Sequence, residues 1–164
     1  NAVVFPAPLG PKKPIISPSE TEKDIPFIRE TYHENMESLH GVHRNDDDWK
    51  KFLLEKDTVY YVVSAEASVA WFRIDITDGE FWIGMLQVKP IYHRKGVGRY
   101  ILAVAEGIAK EKGYKKIGIH TTEDNIAART LYLSAGYVVT EIGPCTTADG
   151  IERVGYTFEK QVEI

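Results

Sequence analysis

Residues 80–121 read as strand, basic loop, helix and strand in direct succession, and that order fixes the direction of both strands. Glu80 to Val88 is a β-branched and aromatic run that stops at Pro90. Arg99 to Lys112 carries Ile101, Leu102, Ala105, Ile108 and Ala109 on one helical stripe and is closed by Gly113, and Lys115 to Thr121 is extended again. A helix between two strands of one sheet is a crossover, so strands 80–88 and 115–121 should run parallel. The loop between strand and helix, Val88-Lys-Pro-Ile-Tyr-His-Arg-Lys-Gly-Val-Gly-Arg99, crowds His93, Arg94, Lys95 and Arg99 around the helix start. First-turn N–H groups have no intrahelical partner and lie at the positive end of the helix dipole. Glycines let a bound group come close to them, so the loop suits a phosphate or pyrophosphate.

The flanking segments place this unit in one domain. Thr58 to Ala65 and Ser68 to Ile76 alternate as strands, and the links Glu66-Ala67 and Thr77-Asp78-Gly79 are of hairpin length, so three antiparallel strands end at Val88. Upstream, Ile15 to Ser17 is a short strand. Asp24 caps a helix with Ile25-Pro26 in its first turn, which runs to about residue 38 and is broken by Gly41. Asn45 to Asp48 cap a second helix with Trp49, Phe52 and Leu53 on one face. Downstream, Asp124 or Asn125 caps a helix to Ala135, Gly136 ends it, and Tyr137 to Ile142 and Ile151 to Val162 form a hairpin around Asp149-Gly150. Neither repeats nor an internal linker interrupt this order. One α+β domain over 15–164 is expected, preceded by a Pro-rich arm at 1–14 that lacks the pattern of a signal peptide. The start at Asn1 rather than Met suggests processing or an appended remnant.

A net charge of −4 argues against a general nucleic-acid binder, so the basic loop is a local feature suited to a small anionic ligand. The single cysteine, Cys145, rules out an intramolecular disulfide and a cysteine-based zinc site within this chain, and fits a cytoplasmic setting. It lies in a polar stretch without an activating helix start and reads as a bystander. No apolar run approaches the ~20 residues needed to cross a bilayer, so no membrane partner is expected. His33, His40 and His43 lack convincing ligand spacing, and no metal is expected.

Two nucleotide motifs fail at the loop. A P-loop ends Gly-Lys-Ser/Thr, and here Gly98-Arg99-Tyr100 stands instead; the dinucleotide fingerprint needs Gly or Ala at position 101, which is Ile. An ordinary basic helix cap remains the alternative for the loop alone. A second segment, Thr122-Glu-Asp-Asn-Ile-Ala-Ala-Arg-Thr-Leu-Tyr-Leu-Ser-Ala-Gly-Tyr137, supplies Asn125, Tyr132 and Gly136-Tyr137 in a strand–helix–strand setting. Together with His-Arg-Lys-Gly-Val-Gly at 93–98, it resembles the GCN5-related N-acetyltransferase (GNAT) family over roughly residues 15–162.

The resemblance implies a GNAT fold: a central, mixed, mostly antiparallel sheet of about seven strands with a parallel pair at its fourth and fifth strands, flanked by about four helices. It implies acetyl-CoA as cosubstrate, with the fourth strand splaying from the fifth to admit it. Leu86, Gln87 and Val88 would offer backbone groups to the pantetheine arm, and His93, Arg94, Lys95, Gly96, Val97, Gly98 and Arg99 would hold the pyrophosphate. His93 departs from the family's usual Gln or Arg and lacks the permanent charge of arginine. Asn125 would contact the pantetheine arm, and Tyr132 would sit beside the thiol sulfur and protonate the leaving thiolate. A core role for Tyr132 is the alternative.

The implied reaction is direct attack of a primary amine in a ternary complex, with a non-catalytic acyl-CoA sensor and an unrelated phosphate-binding protein as the other readings. The attacking amine must lose a proton, and an imidazole with its ordinary pKa of ~6.5 suits that task. His120, at the end of strand 115–121, is the first candidate base, against a role in the core or merely lining the cleft. Glu80 is a weaker candidate, since the family's acid near the start of the fourth strand aligns better with Trp82. The acceptor would be a small-molecule amine or a peptide N-terminus. Glu34, Glu37, Asp46, Asp47 and Asp48 could attract it, although acidic residues at a helix start are also simple caps. The resemblance also implies a homodimer through the C-terminal strands.

Overall fold

Among the described residues, three hairpins and two helical crossovers, through the third and fourth helices, build a seven-stranded sheet with two helices on each face. The computed structural model describes residues 15–19, 21–37 and 39–163, so the expected Pro-rich arm lies outside it. The elements are β1 (Ile15–Pro18), α1 (Thr21–Met36), α2 (Asp46–Leu53), β2 (Thr58–Ser64), β3 (Ser68–Thr77), β4 (Glu80–Val88), a 3-10 turn (Pro90–Tyr92), α3 (Val97–Glu111), β5 (Lys116–Thr122), α4 (Ile126–Ser134), β6 (Val138–Thr146) and β7 (Glu152–Gln161). The strand order is β1-β2-β3-β4-β5-β7-β6, and β4–β5 is the parallel pair. At the β3–β4 turn, Asp78 and Gly79 both take positive φ, 53° and 75°, the geometry that closes a two-residue hairpin without splaying its strands.

Each face has its own core. Ile25, Ile28 and Tyr32 of α1 and Trp49 of α2 pack on Tyr60, Val62 and Trp71. On the opposite face, Val97, Ile101, Leu102, Ala105 and Ala109 of α3 and Tyr132 of α4 pack on Phe72, Ile83, Ile117, Ile119 and Phe158. Side chains alternate across a strand. The partition therefore assigns Asp75, Trp82, Gly118 and His120 to the α1/α2 face and Tyr132 to the α3/α4 face.

Two helix starts differ from the sequence reading. Helix α1 begins at Thr21, so Asp24 lies inside its first turn rather than before it, and accepts from Ser19 Oγ (3.1 Å). Pro26 then falls within the helix, where it forfeits the hydrogen bond to the Glu22 carbonyl. Helix α3 begins at Val97 rather than Arg99, because Gly96 takes φ +81° and turns the chain into the helix before the second glycine. The second helix does begin at Asn45, whose Oδ1 accepts from the Asp48 N–H (2.9 Å) while Asp48 Oδ2 accepts from the Asn45 N–H (3.0 Å), a reciprocal capping box.

Candidate active site

The gap between β4 and β5 organises the site. The two strands pair through Phe81–Ile117, Trp82–Gly118 and Ile83–Ile119, and pairing stops there. The next residue, Gly84, is the extra residue of a bulge: Ile74 faces Ile83 and Arg73 faces Met85, with Gly84 opposite neither. A Cβ at Gly84 would meet Asp75 Oδ2 at 2.0 Å and Arg73 Nε at 2.5 Å, so the Arg73–Asp75 ion pair occupies the space a side chain would need. Past the bulge, β4 keeps its partner β3 on one side and has none from β5 on the other. Lys89 N–H donates to the Val69 carbonyl, so in this register Gln87 and Met85 spend their backbone groups on β3 while Leu86 and Val88 turn theirs to the open edge.

The Val88 carbonyl on that edge is already held. It accepts from Asn35 Nδ2 (2.8 Å) and from His93 Nε2 (2.7 Å), and Asn35 Nδ2 also donates to Gln87 Oε1 (2.9 Å). Both acceptors are oxygens, which fixes the amide orientation, and Asn35 Oδ1 is left buried without a partner among the described residues. His93 is therefore turned back onto the strand end, and its N–H donates to Pro90. Neither its ring nor its N–H faces the helix start.

The rest of the loop does. Tyr100 N–H makes the first intrahelical bond, to Gly96, so the N–H groups of Val97, Gly98 and Arg99 have no carbonyl within the helix. Arg94, itself at φ +60°, and Lys95 form no ion pair with a described residue, whereas the Arg99 guanidinium is tied to Ser134 through its carbonyl (3.2 Å) and Oγ (2.7 Å). Among the described residues, the cationic side chains of the cradle left free are thus Arg94 and Lys95. Asn125 caps α4, with Oδ1 accepting from Ala128 N–H (3.2 Å), which leaves Nδ2 to donate elsewhere.

Tyr132 is 6% exposed and shares a cluster with Ile119, Leu86 and Val88, its ring edge-on to Phe158 at 5.4 Å. No described group hydrogen-bonds its hydroxyl, and burial pushes the phenol far above its ordinary pKa, so it stays protonated at neutral pH. His120 is exposed on the other face. Its ring stacks on Trp82 (centroids 4.6 Å, planes 8° apart), and Nδ1 lies 3.0 Å from Thr157 Oγ1. His120 and Tyr132 thus flank the opened seam from opposite faces of the sheet. Glu80 does not join them: it pairs with Lys116 Nζ (3.4 Å) at the far end of β4, about 13 Å along the strand from Gly84 at ~3.3 Å per residue.

Several contributors escaped the sequence reading. Asn35 was hidden inside a helix, though it falls seven residues after Ile28 on the apolar stripe, where a polar residue signals a buried partner. His40 sits over the end of β5, with Nε2 3.1 Å from Thr122 Oγ1 and 3.6 Å from Asp124 Oδ1, and Arg153 reaches Asp124 from β7 at 3.8 Å. The Thr122 hydroxyl bond, then His40 and Arg153, hold the Asp124 carboxyl below its ordinary range. The acidic connection is largely absorbed locally, since Asp46 pairs with Arg29 and Asp48 closes the α2 cap. His33 and His43 line a cavity of about 350 Å³ with Tyr32, Met36 and Glu37, and burial, then His43, lowers the His33 pKa. Among the described residues, no three His, Cys, Asp or Glu converge as a metal site, and no helix is long and apolar enough to cross a membrane.

The family model described as acetyltransferase (GNAT) family matches residues 25–137, well over half the chain. Solved structures agree in fold. A ribosomal-protein alanine N-acetyltransferase from Escherichia coli superposes with TM-score 0.72 at 19% identity, covering 93% of this chain and 96% of that one. A spermidine N-acetyltransferase from Vibrio cholerae gives 0.74 at 15% identity, covering 90% and 93%. A GNAT family acetyltransferase from Elizabethkingia anophelis with acetyl-CoA bound gives 0.68 at 19%, covering 90% and 97%. Identities this low carry the fold and not the substrate. Among curated protein sequences, none matches.

Proposed function

The chain belongs to the acetyltransferase (GNAT) family, and from that premise we propose that it transfers an acetyl group from acetyl-CoA to a primary amine by direct attack in a ternary complex. The observation that carries this reading is the parting of β4 and β5 after Ile83 and Ile119, with His120 on one face of the seam and Tyr132 on the other. The residues present fit the donor. The open edge at Leu86 and the Val88 N–H can pair with amide groups, Asn35 Oδ1 lies near that edge buried and without a partner among the described residues, Asn125 Nδ2 is uncommitted at the start of α4, and the α3 start with Arg94 and Lys95 suits a pyrophosphate. Acetyl-CoA supplies the activated acyl group as a thioester.

The protein's part is positioning and proton transfer. Neutral His120 removes a proton from the ammonium or amine at Nε2, the ring nitrogen not engaged with Thr157. Backbone N–H groups on the open edge of β4 stabilise charge that develops on the carbonyl oxygen. Tyr132, kept protonated by burial, donates its phenolic proton to the departing thiolate. The acceptor approaches from the α1/α2 face, where His120, Trp82 and the α1–α2 connection lie. A small-molecule amine and a peptide N-terminus both fit this description.

A panel of amines, from polyamines and amino acids to short peptides, incubated with acetyl-CoA and assayed for free thiol tests the reading. Release of thiol with one class, abolished in Tyr132→Phe and His120→Ala while acetyl-CoA still binds, supports it. Tight acetyl-CoA binding with no turnover for any amine overturns it in favour of a sensor.

A further inference from the structure

We infer that Trp82 and Thr157 are positioning residues for His120, clamping the imidazole between β4 and β7 so that Nε2 alone is open to the acceptor. The inference rests on the reading of His120 as the base. The clamp has two jaws. Trp82 lies flat across β5: a Cβ at Gly118 would fall 2.3 Å from its Cζ3 and 2.4 Å from its Cε3, so only a glycine there lets the indole reach His120. The rings are then nearly parallel, 8° apart at 4.6 Å, which removes rotation about the histidine's second torsion. Thr157 is the cross-strand partner of His120 on β7 and is 8% exposed, and its Oγ1 holds Nδ1 at 3.0 Å.

The chemistry needs one tautomer. For Nε2 to carry the lone pair, Nδ1 must carry the proton and donate it to Thr157 Oγ1. The opposite tautomer leaves a proton on the atom that must accept one. The charged groups on this face are Lys116 with Glu80 and Glu159 toward the start of β5, His40 with Asp124 and Arg153 at its end, Glu141 opposite Thr157 on β6, and the Arg73–Asp75 pair beside Trp82 on β3. None of them is hydrogen-bonded to the His120 ring, so Thr157 Oγ1 is its one side-chain hydrogen-bond partner among the described residues, accepting from Nδ1–H in the tautomer the base needs.

The test combines kinetics with a tautomer readout that does not depend on turnover. In full-length protein, ¹⁵N shifts of the His120 ring report which nitrogen is protonated. Thr157→Val should raise the Nε2–H form and lower kcat about tenfold, with the KM for acetyl-CoA unchanged and the acid limb of the pH–rate profile displaced; Thr157→Ser should restore all three. Trp82→Leu and Gly118→Ala should each lower kcat similarly, and Trp82→Phe should recover most of the loss. An unchanged tautomer and acid limb in Thr157→Val overturns the clamp. Full activity in His120→Ala overturns the base assignment instead, and the two failures are distinct because the ring shifts are read in the presence of His120.

Discussion

The backbone of Gly84 passes directly beneath the carboxylate of Asp75, so close that a methyl group would lie 2.0 Å from Oδ2. The bulge, the Arg73–Asp75 pair and the opening of the sheet are therefore one device. Asp75 accepts from Arg73 Nε (3.0 Å) and Thr58 Oγ1 (3.1 Å), and both charged side chains are about one-fifth exposed. Gly84→Ala forces this pair apart or flattens the bulge. It should destabilise the fold by about 1–3 kcal/mol, the usual cost of overpacking, and weaken acetyl-CoA binding beyond what the stability change predicts. Urea unfolding and calorimetric titration of the same variant read the two effects separately. Unaltered affinity would dissociate the bulge from the donor site.

The pyrophosphate cradle makes a different kind of prediction. Arg94 and Lys95 are its uncommitted cations, while Arg99 is spent on Ser134 and His93 on Val88. Arg94→Gly with Lys95→Ala should lower the affinity for CoA about tenfold at low ionic strength and progressively less as salt rises, because exposed charges are screened. Binding of pantetheine, which lacks the phosphates, should not change. Arg94→Gly also relieves a left-handed backbone position, so stability should hold or rise slightly. Equal losses for CoA and pantetheine would place the loop's effect elsewhere.

Local patterns in the sequence carried most of the fold. Hairpin links at 66–67 and 77–79 and the crossover through α3 follow from chain connectivity, and they suffice for the β2-β3-β4-β5 order. The insertion of β7 between β5 and β6 does not follow, because a final hairpin can dock by either strand. Site residues separate the same way. Tyr132 and Asn125 belong to a contiguous segment and His120 stands at a strand end, so local pattern alone proposes them as candidates. Asn35, His40, Trp82 and Thr157 contact partners 53, 82, 38 and 37 positions away, and only the folded sheet brings those pairs together. The assignment of His93 to the pyrophosphate illustrates the limit: its place in the motif is readable, but the direction of its ring is decided by the Val88 carbonyl.

Acid stability should reveal the network at the end of β5. Asp124 is held below its ordinary value by Thr122, His40 and Arg153, and Asp149 is held at about 2 by Thr147 and Arg153. A carboxyl whose folded pKa is depressed contributes stability above its unfolded value of ~3.9 and loses it as pH falls through the folded value. Wild type should therefore lose stability between about pH 4 and pH 2, and Asp124→Asn should lose less over that window. Asp124 is 46% exposed, so its share is small, about 0.5 kcal/mol or less. Thermal midpoints across that window measure it. Identical pH slopes in the two proteins would remove Asp124 from the account.

Tyr132 allows stability and catalysis to be separated in one variant. Its phenol and that of Tyr137 are both driven up by burial, the latter further by Glu106. A raised phenol pKa contributes stability that is fully present below the unfolded value of ~10 and is lost as pH rises through the folded value. The protein should therefore weaken steeply above pH ~10, and Tyr132→Phe should weaken less, because one buried phenol no longer has to ionise. At neutral pH the same substitution removes a hydroxyl that has no hydrogen-bond partner among the described residues, so stability should change by less than about 1 kcal/mol. Turnover behaves otherwise if the phenol protonates the thiolate: kcat should fall by about 10²-fold while the dissociation constant of acetyl-CoA stays within a factor of about two. Acetyl thioester donors with better thiol leaving groups should recover part of the loss, since they need less protonation. A Tyr132→Phe protein with full turnover and the expected alkaline resistance would make this residue a core tyrosine alone.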